Sequence, residues 1–231
     1  MLLSDSQCQS FAHQGYVVFE HALSPKQCQS LHEEADVLLN HAMNEGLDLV
    51  RDLGCIIEPL NCAYTDMEMR DCRDNIQRYK EQRDSISDNH VSSLILDIIP
   101  RWSAQLLRSD IVYLLNEQYI IKPPSAGTGS SFRWHTDGEY LPADEQHINS
   151  VACWTALDEV DQNNGSLTIR PMDGGADMEI KVPAGSIVFI SNRVVHKSTP
   201  NNSRRFRRVY MPQYSSKRSN VGFRFDISIS T

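Results

Sequence analysis

The stretch GSIVFISNRVVHKSTPNNSRRFRRVYMPQY, residues 185–214, decides what kind of fold this chain adopts. A β-branched and aromatic run at 186–190 reads as a buried strand, and the pattern resumes around His196. It breaks at the turn-rich TPNNS and returns as a strand carrying four arginines. Short apolar runs punctuated by Asn, Pro and Ser are the mark of antiparallel β-structure. If PNNS makes a tight turn centred between Asn201 and Asn202, His196 faces Arg207 across a hairpin. Ser198 then shares the face of His196, because strand side chains alternate.

The same texture extends outward. IVYLL, QYIIK, INSVACW, SLTIR, MEIKV and FRFDISIS, all after about residue 110, are short strand-like runs separated by Gly, Pro, Asn and Asp clusters. They suit an antiparallel sandwich or barrel. The first part of the chain reads differently. Ser4 or Asp5 can cap a short helix that Gly15 ends, and YVVF at 16–19 reads as a strand. Ser24 and Pro25 then start a longer helix whose apolar face is Cys28, Leu31, Ala35, Leu38, Leu39 and Ala42. Residues 66–82 are charged nearly all round and read as a solvated helix or flap, while 90–110 reads as a helix interrupted at Pro100. The expectation is one domain over 1–231, with a helical part at about 1–110 buttressing a β core at about 111–231.

Composition excludes several classes. With 22 basic against 30 acidic residues, the net charge is −8 without a long basic tract, which argues against nucleic acid as the partner. No apolar run approaches the ~20 residues that span a bilayer, and no signal-peptide pattern begins the chain. None of the six cysteines (Cys8, Cys28, Cys55, Cys62, Cys72, Cys153) has CxxC spacing. A cytoplasmic protein with reduced thiols is the expectation.

In FRWHTDGEY, residues 132–140, His135 and Asp137 can converge from an extended backbone. His13, His21, His32, His41, His90 and His147 have no motif around them and read as ordinary residues, which leaves His196 as the distal partner. Two histidines and one carboxylate without a fourth ligand describe a facial triad with open coordination positions, as for Fe(II). A closed zinc site would want four ligands. A strand-borne Arg207 with Ser198 could fork onto a carboxylate.

These motifs resemble the phytanoyl-CoA dioxygenase-like branch of the Fe(II)/2-oxoglutarate oxygenases. The similarity covers FAHQGYVVFEHALSPKQCQSL, KPP at 122–124, WHTD at 134–137, WTALDEVDQNNGSLTIRP at 154–171, AGSIVFI at 184–190, HKS at 196–198 and FRR at 206–208. It implies a mainly β fold with N-terminal helices and a double-stranded β-helix (jelly-roll, cupin-like) core. It implies His135, Asp137 and His196 as iron ligands, and Arg207 and Ser198 as holders of the far carboxylate of 2-oxoglutarate. Lys122, Phe132 and Gln118 fall at positions lining the co-substrate or substrate pocket, and Trp154 at a position of core packing or site lining. The implied chemistry consumes O2 and 2-oxoglutarate, releases succinate and CO2, and hydroxylates, desaturates or cyclises a small molecule. Halogenating relatives replace the carboxylate ligand with a small residue, so Asp137 favours those outcomes.

The segment at 172–183 is shorter than the family's usual insertion, which implies a substrate smaller than an acyl-CoA, with a pocket wall drawn from 55–90. Arg133, Arg193 and Lys197 flank the ligands and could bind an anionic or zwitterionic substrate, or be solvated charges. Tyr140 and Glu139 could line the mouth. Two other readings stand beside the oxygenase: a catalytically silent β-helix binding module, and a zinc hydrolase on the same triad with Glu139 as general base.

Overall fold

The computed structural model describes residues 2–60, 72–219 and 225–231. Cys62 and residues 66–71 of the charged 66–82 stretch lie outside the described residues.

Helix α1 (Asp5–Gln14) starts at Ser4, whose hydroxyl accepts from Gln7 N while the Gln7 side chain accepts from Ser4 N. It stops at Gly15, whose φ of 78° is the left-handed conformation that glycine adopts without strain. Strand β1 (Tyr16–Phe19) follows, and then α2 (Pro25–Asn44), capped by Ser24 with Pro25 at its first position. The six apolar residues expected on α2 are all buried. Leu31 and Leu38 are fully enclosed, each worth about 2 kcal/mol of burial.

After the short β2 (Ile56–Ile57), helix α3 (Ile76–Asp84) corrects the expectation of a solvated element. Its Tyr79, Gln82 and Arg83 are buried. Arg83 binds Glu34 Oε1 through Nη2 at 2.6 Å and reaches Glu117 Oε1 through Nε at 2.9 Å. Tyr119 OH donates to Glu34, and Tyr79 and Tyr210 OH donate to Glu117. Burial in this cluster pushes the Glu117 carboxyl up, against the pull of Arg83. A π-helical turn at Leu94–Ile98 leads into α4 (Ile99–Leu107). Pro100 therefore sits in the first turn of α4, at the junction where the π-helical turn passes into it.

The remaining strands are β3 (Ile111–Lys122), β4 (Phe132–His135), β5 (Ser150–Ala156), β6 (Leu167–Arg170), β7 (Met178–Ile180), β8 (Ile187–Ser191), β9 (Val195–Ser198), β10 (Arg207–Ser215) and β11 (Ile227–Ser230). IVYLL and QYIIK are one continuous strand rather than two. The major sheet runs β1-β8-β5-β10-β3-β11, with β2 also paired to β3; the minor sheet runs β4-β9-β6-β7. All pairings are antiparallel. This is a jelly-roll, double-stranded β-helix core with helices on the outer face of the major sheet.

Alternation along the major-sheet strands feeds two hydrophobic clusters. Tyr119, Ile121, Cys153, Tyr210 and Tyr214 pack toward the helices. Ile120, Trp154, Val209 and Met211 face the minor sheet and meet Leu167, Ile169 and Ile180 there. The second, inter-sheet face is the one that opens into a cavity.

The hairpin expected between His196 and Arg207 is not formed. Strand β9 belongs to the minor sheet, where His196 pairs with His135 and Ile169. Strand β10 belongs to the major sheet, where Arg207 pairs with Lys122. The chain crosses between sheets at 199–206, anchored by buried Asn201, which donates to Lys122 O and Arg205 O. That side-chain bridge replaces the tight turn.

Candidate metal and co-substrate site

His135 ends β4, His196 lies in the middle of β9, and Asp137 opens a single 3-10 turn at Asp137–Tyr140. One ligand atom from each lies within 4.8 Å of the others. Both imidazole Nε2 atoms are 3.7 Å from Asp137 Oδ1. The other ring nitrogens point to backbone carbonyls two residues upstream: His135 Nδ1 to Arg133 O at 2.8 Å, and His196 Nδ1 to Val194 O at 3.0 Å. Donation from Nδ1 leaves the Nε2 lone pair directed at the shared point, as a metal ligand requires. Burial, and then the second imidazole, lower the pKa of His135 and keep it neutral. Gln213 donates from Nε2 to Asp137 Oδ2 at 3.1 Å, which leaves Oδ1 for an ion. Gly138 completes the turn, for a Cβ there would stand 2.9 Å from Asn192 O.

The cavity beside this triad holds about 230 Å³, below the ~300–1,000 Å³ of ordinary ligand pockets. Its closed end is cationic. Arg207 is 1% exposed; Nη1 reaches Ile120 O at 3.4 Å and Nε has no partner. Burial pushes the guanidinium down to about 10. Lys122, fully buried beside it, donates to Ser198 Oγ at 2.7 Å and Thr199 O at 2.6 Å. Burial, and then the Arg207 charge, push this ammonium down to about 6. No carboxylate of the described residues pairs with either group. Arg207, a buried cation without a counter-ion, is costly in isolation, and with Lys122 beside it able to take up a proton the pair fits an anionic occupant. Gly165 makes room for them, with φ of 102° and a would-be Cβ 2.8 Å from Lys122 Cδ and 3.4 Å from Arg207 Nε. The donor set at one end and Arg207 with Lys122 at the other therefore fit Fe(II) and 2-oxoglutarate together.

Of the other expected site residues, Phe132, Gln118, Tyr140 and Trp154 line the cavity. Phe132 also lies under the Lys122 ammonium, 5.3 Å from ring centroid to Nζ. Arg133 and Arg193 are exposed, and neither lines the cavity, which corrects the expectation that they face a substrate. Alternation would have aimed Arg133 with His135. The β4–β9 register slips between Phe132 and His135, so those two residues share the cavity face and Arg133 turns outward. Arg193 sits on the turn before β9 and bonds Asn149. Lys197 stacks on Trp134 at 4.8 Å instead of entering the cavity. Glu139 is exposed and bonded to Thr136, which leaves it outside the cavity lining and without the role of a base.

Sequence reasoning missed Gln213, Asn116, Leu115, Glu58 and Ser150, which all line the cavity. For Gln213 and Asn116 a signal existed. Gln213 follows Arg207, Val209 and Met211 on one face of β10, and Asn116 precedes Gln118, Ile120 and Lys122 on one face of β3. Ile56 and Glu58 arrive because Ile121 N bonds Cys55 O at 2.8 Å, laying that segment along β3.

No curated protein matches the sequence. The fold is similar to the non-heme alpha ketoglutarate dependent epimerase SnoN from nogalamycin biosynthesis, at 16% identity and a TM-score of 0.66, covering 91% of this chain and 81% of that one. It is similar to the carbocyclase SnoK of the same biosynthesis, at 18% identity and 0.67, covering 92% and 84%. It is also similar to EctD from S. alaskensis with 2-oxoglutarate and 5-hydroxyectoine, at 19% identity and 0.67, covering 96% and 79%. Residues 11–173, which include His135 and Asp137, match the phytanoyl-CoA dioxygenase (PhyH) family in sequence. The β-helix core and the His-Asp-His cluster agree with that match, and the chain belongs to the phytanoyl-CoA dioxygenase (PhyH) family of Fe(II)/2-oxoglutarate-dependent oxygenases.

Proposed function

We propose that this oxygenase hydroxylates, or by the same first step desaturates or cyclises, a small-molecule metabolite. The observation that carries the reading is the pairing, in one cavity, of three convergent ligand atoms with a buried, unpaired Arg207. His135, Asp137 and His196 hold Fe(II). Arg207 and Ser198 hold the far carboxylate of 2-oxoglutarate, with Lys122 behind them and Phe132 and Gln118 along its sides. When bound, the metal and co-substrate would supply the oxidising chemistry: one O2 is consumed, 2-oxoglutarate leaves as succinate and CO2, and the substrate either exchanges a hydrogen for a hydroxyl or loses two hydrogens as the second oxygen atom leaves in water. The chain's own part is positional. Backbone carbonyls fix both imidazoles, Gln213 fixes Asp137, and Trp154, Leu167 and Ile120 keep water from the co-substrate. Asp137 occupies the position that halogen chemistry would need free, which supports oxygenation. The narrow cavity supports a metabolite rather than an acyl-CoA.

We also place the protein in the cytoplasm as a single domain. Among the described residues, Cys8, Cys28, Cys55 and Cys153 are free thiols, which suits a reducing compartment. No helix of the described residues is long and apolar enough to cross a membrane.

Anaerobic protein with Fe(II) and 2-oxoglutarate should develop the weak visible charge-transfer band of the chelate. His135→Ala and Asp137→Ala should each abolish it, and its survival in both variants would show the ligands to be misassigned.

A further inference from the structure

The cavity side of the major sheet is banded. Strand β3 contributes Lys122, Ile120, Gln118 and Asn116, and β10 sets Arg207, Val209, Met211 and Gln213 opposite them. The first pair forms the closed end, the second is apolar, and the last is a pair of amides. Six residues of strand span roughly 20 Å. A five-carbon diacid held at Arg207 extends only roughly 6 Å at standard bond lengths. The Asn116–Gln213 pair therefore lies beyond the co-substrate, on the side left for the substrate.

The two amides of that pair differ in what they bind. Gln213 commits its N–H to Asp137 Oδ2. Asn116 lines the cavity and is 5% exposed, yet among the described residues its side-chain amide makes no hydrogen bond within the protein. A buried amide left without partners is costly. Just beyond, the register slips between Gln213 and Tyr214 and leaves Leu115 without a partner on β10. That bulge turns Leu115 into the cavity beside Asn116. Leu115 is 4% exposed yet belongs to neither hydrophobic cluster. Asn116 thus stands as an unused polar group in a wall that Leu115 and Leu141 make apolar.

We infer that Asn116 orients the primary substrate: its amide takes a neutral carboxamide or hydroxyl group of a small molecule whose apolar part lies on Leu115 and Leu141. This rests on the proposed metal and co-substrate roles. The chemistry of the partner follows from the amide's two ends. Its NH2 donates and its carbonyl accepts, and neither is in use among the described residues. A carboxamide pairs with both ends at once, and a hydroxyl can meet either. A carboxylate engages only the NH2 and an ammonium only the carbonyl. Each of those charged groups would also give up hydration for one neutral dipole. Anchoring at Asn116 fixes which carbon of the apolar part faces the metal, and so where the molecule is oxidised. A neutral anchor takes the place of the anionic group expected from Arg133, Arg193 and Lys197, which do not line the cavity.

The test uses the full chain with Fe(II) and 2-oxoglutarate under anaerobic conditions, where the charge-transfer band first reports whether the metal and co-substrate reading holds. Four probes on one frame are then titrated by calorimetry and by their effect on the band: cyclopentanecarboxamide, cyclopentanol, cyclopentanecarboxylate and cyclopentylamine. The wild type should bind the carboxamide and the alcohol at least about fivefold tighter than the two charged probes. Asn116→Leu should weaken the neutral probes by about tenfold, the loss of one buried hydrogen-bond partner, and should change the charged ones less. Asn116→Asp should reverse the order in favour of the amine, because the new carboxylate only accepts. A purely structural role would instead weaken all four probes alike. Should one variant lose the band, the other decides. With the band present, a wild-type preference for a charged probe, binding of no probe, equal losses for all four in Asn116→Leu, or an unchanged order in Asn116→Asp overturns the inference. Loss of the band in both variants overturns it too, by making Asn116 part of the metal centre. Absence of the band in the wild type instead defeats the metal and co-substrate reading.

Discussion

Replacing Lys122 with methionine should change how 2-oxoglutarate binding depends on pH. Lys122 is fully buried beside Arg207, and burial followed by that neighbouring charge brings its ammonium from an ordinary 10.5 to about 6. At about 1.36 kcal/mol per unit, the ligand-free protein meets a cost of up to roughly 6 kcal/mol in keeping that proton. The acceptors Ser198 Oγ and Thr199 O offset part of it. Between about pH 6 and 10.5 the unfolded chain holds a proton that the folded, ligand-free chain lacks. The contribution of Lys122 is therefore most unfavourable below about pH 6 and becomes less so as pH rises through that window. A dicarboxylate seated on Arg207 brings opposite charge and raises the Lys122 pKa again. Binding near neutral or mildly alkaline pH should then draw close to one proton from the buffer. Wild-type affinity should fall up to ~10-fold per pH unit between about pH 7 and 9, while Lys122→Met should show little dependence and little proton uptake. Calorimetric titration of 2-oxoglutarate into Mn(II)-loaded protein, in buffers of different ionisation enthalpy, counts the protons directly. Equal uptake by the two proteins, or a wild-type affinity that ignores pH, would refute the reasoning.

Arg207→Ala should raise the 2-oxoglutarate requirement about 10- to 150-fold, the loss of a charge-assisted contact worth roughly 1.5–3 kcal/mol. Arg204→Ala, at an exposed position, should change it little, and equal effects in steady-state kinetics would sink the carboxylate assignment. Gln213→Leu removes the hydrogen bond to Asp137 and should weaken Fe(II) or Mn(II) binding about 10- to 100-fold, read by metal titration. Arg83→Met strands Glu34 and Glu117 without their cation and should cost about 3–5 kcal/mol in denaturant unfolding. The triple change Arg83→Met, Glu34→Gln, Glu117→Gln should recover part of that loss, because no uncompensated charge is left buried.

Local rules carried the sequence reading where local physics governs. Ser24 and Pro25 mark the start of α2, and its 3.6-residue spacing names the buried face residue by residue. The alternation at His135 and Asp137, with a distant His196, brings out three residues that the fold gathers, each with one ligand-type atom within 4.8 Å of the others. The failures arose where a residue's environment is set by another part of the chain. Charge around α3 reads as solvation, yet Arg83 is buried because Glu34 and Glu117, 49 and 34 residues away, meet it there. The supposed 196–207 hairpin failed because Asn201 ties the connection to the end of β3, so the two strands enter different sheets. Arg133 was misaimed by one slipped residue in β4, which no count of positions reveals.

The division of the site between the two sheets has a mechanical consequence. Strands of the minor sheet carry His135 and His196, strands of the major sheet carry Arg207 and Lys122, and among the described residues no ladder hydrogen bond joins one sheet to the other. In the proposed arrangement, a co-substrate gripped by the metal on one side and by Arg207 on the other would be a staple across the sandwich. Pulling the sheets apart would require breaking it, so breathing motions of β4, β6 and β9 should be damped well away from the ligand. Amide exchange in those strands would slow on loading even where nothing touches the bound molecule, and the protein would stiffen as one body only when both halves of its cofactor pair are in place.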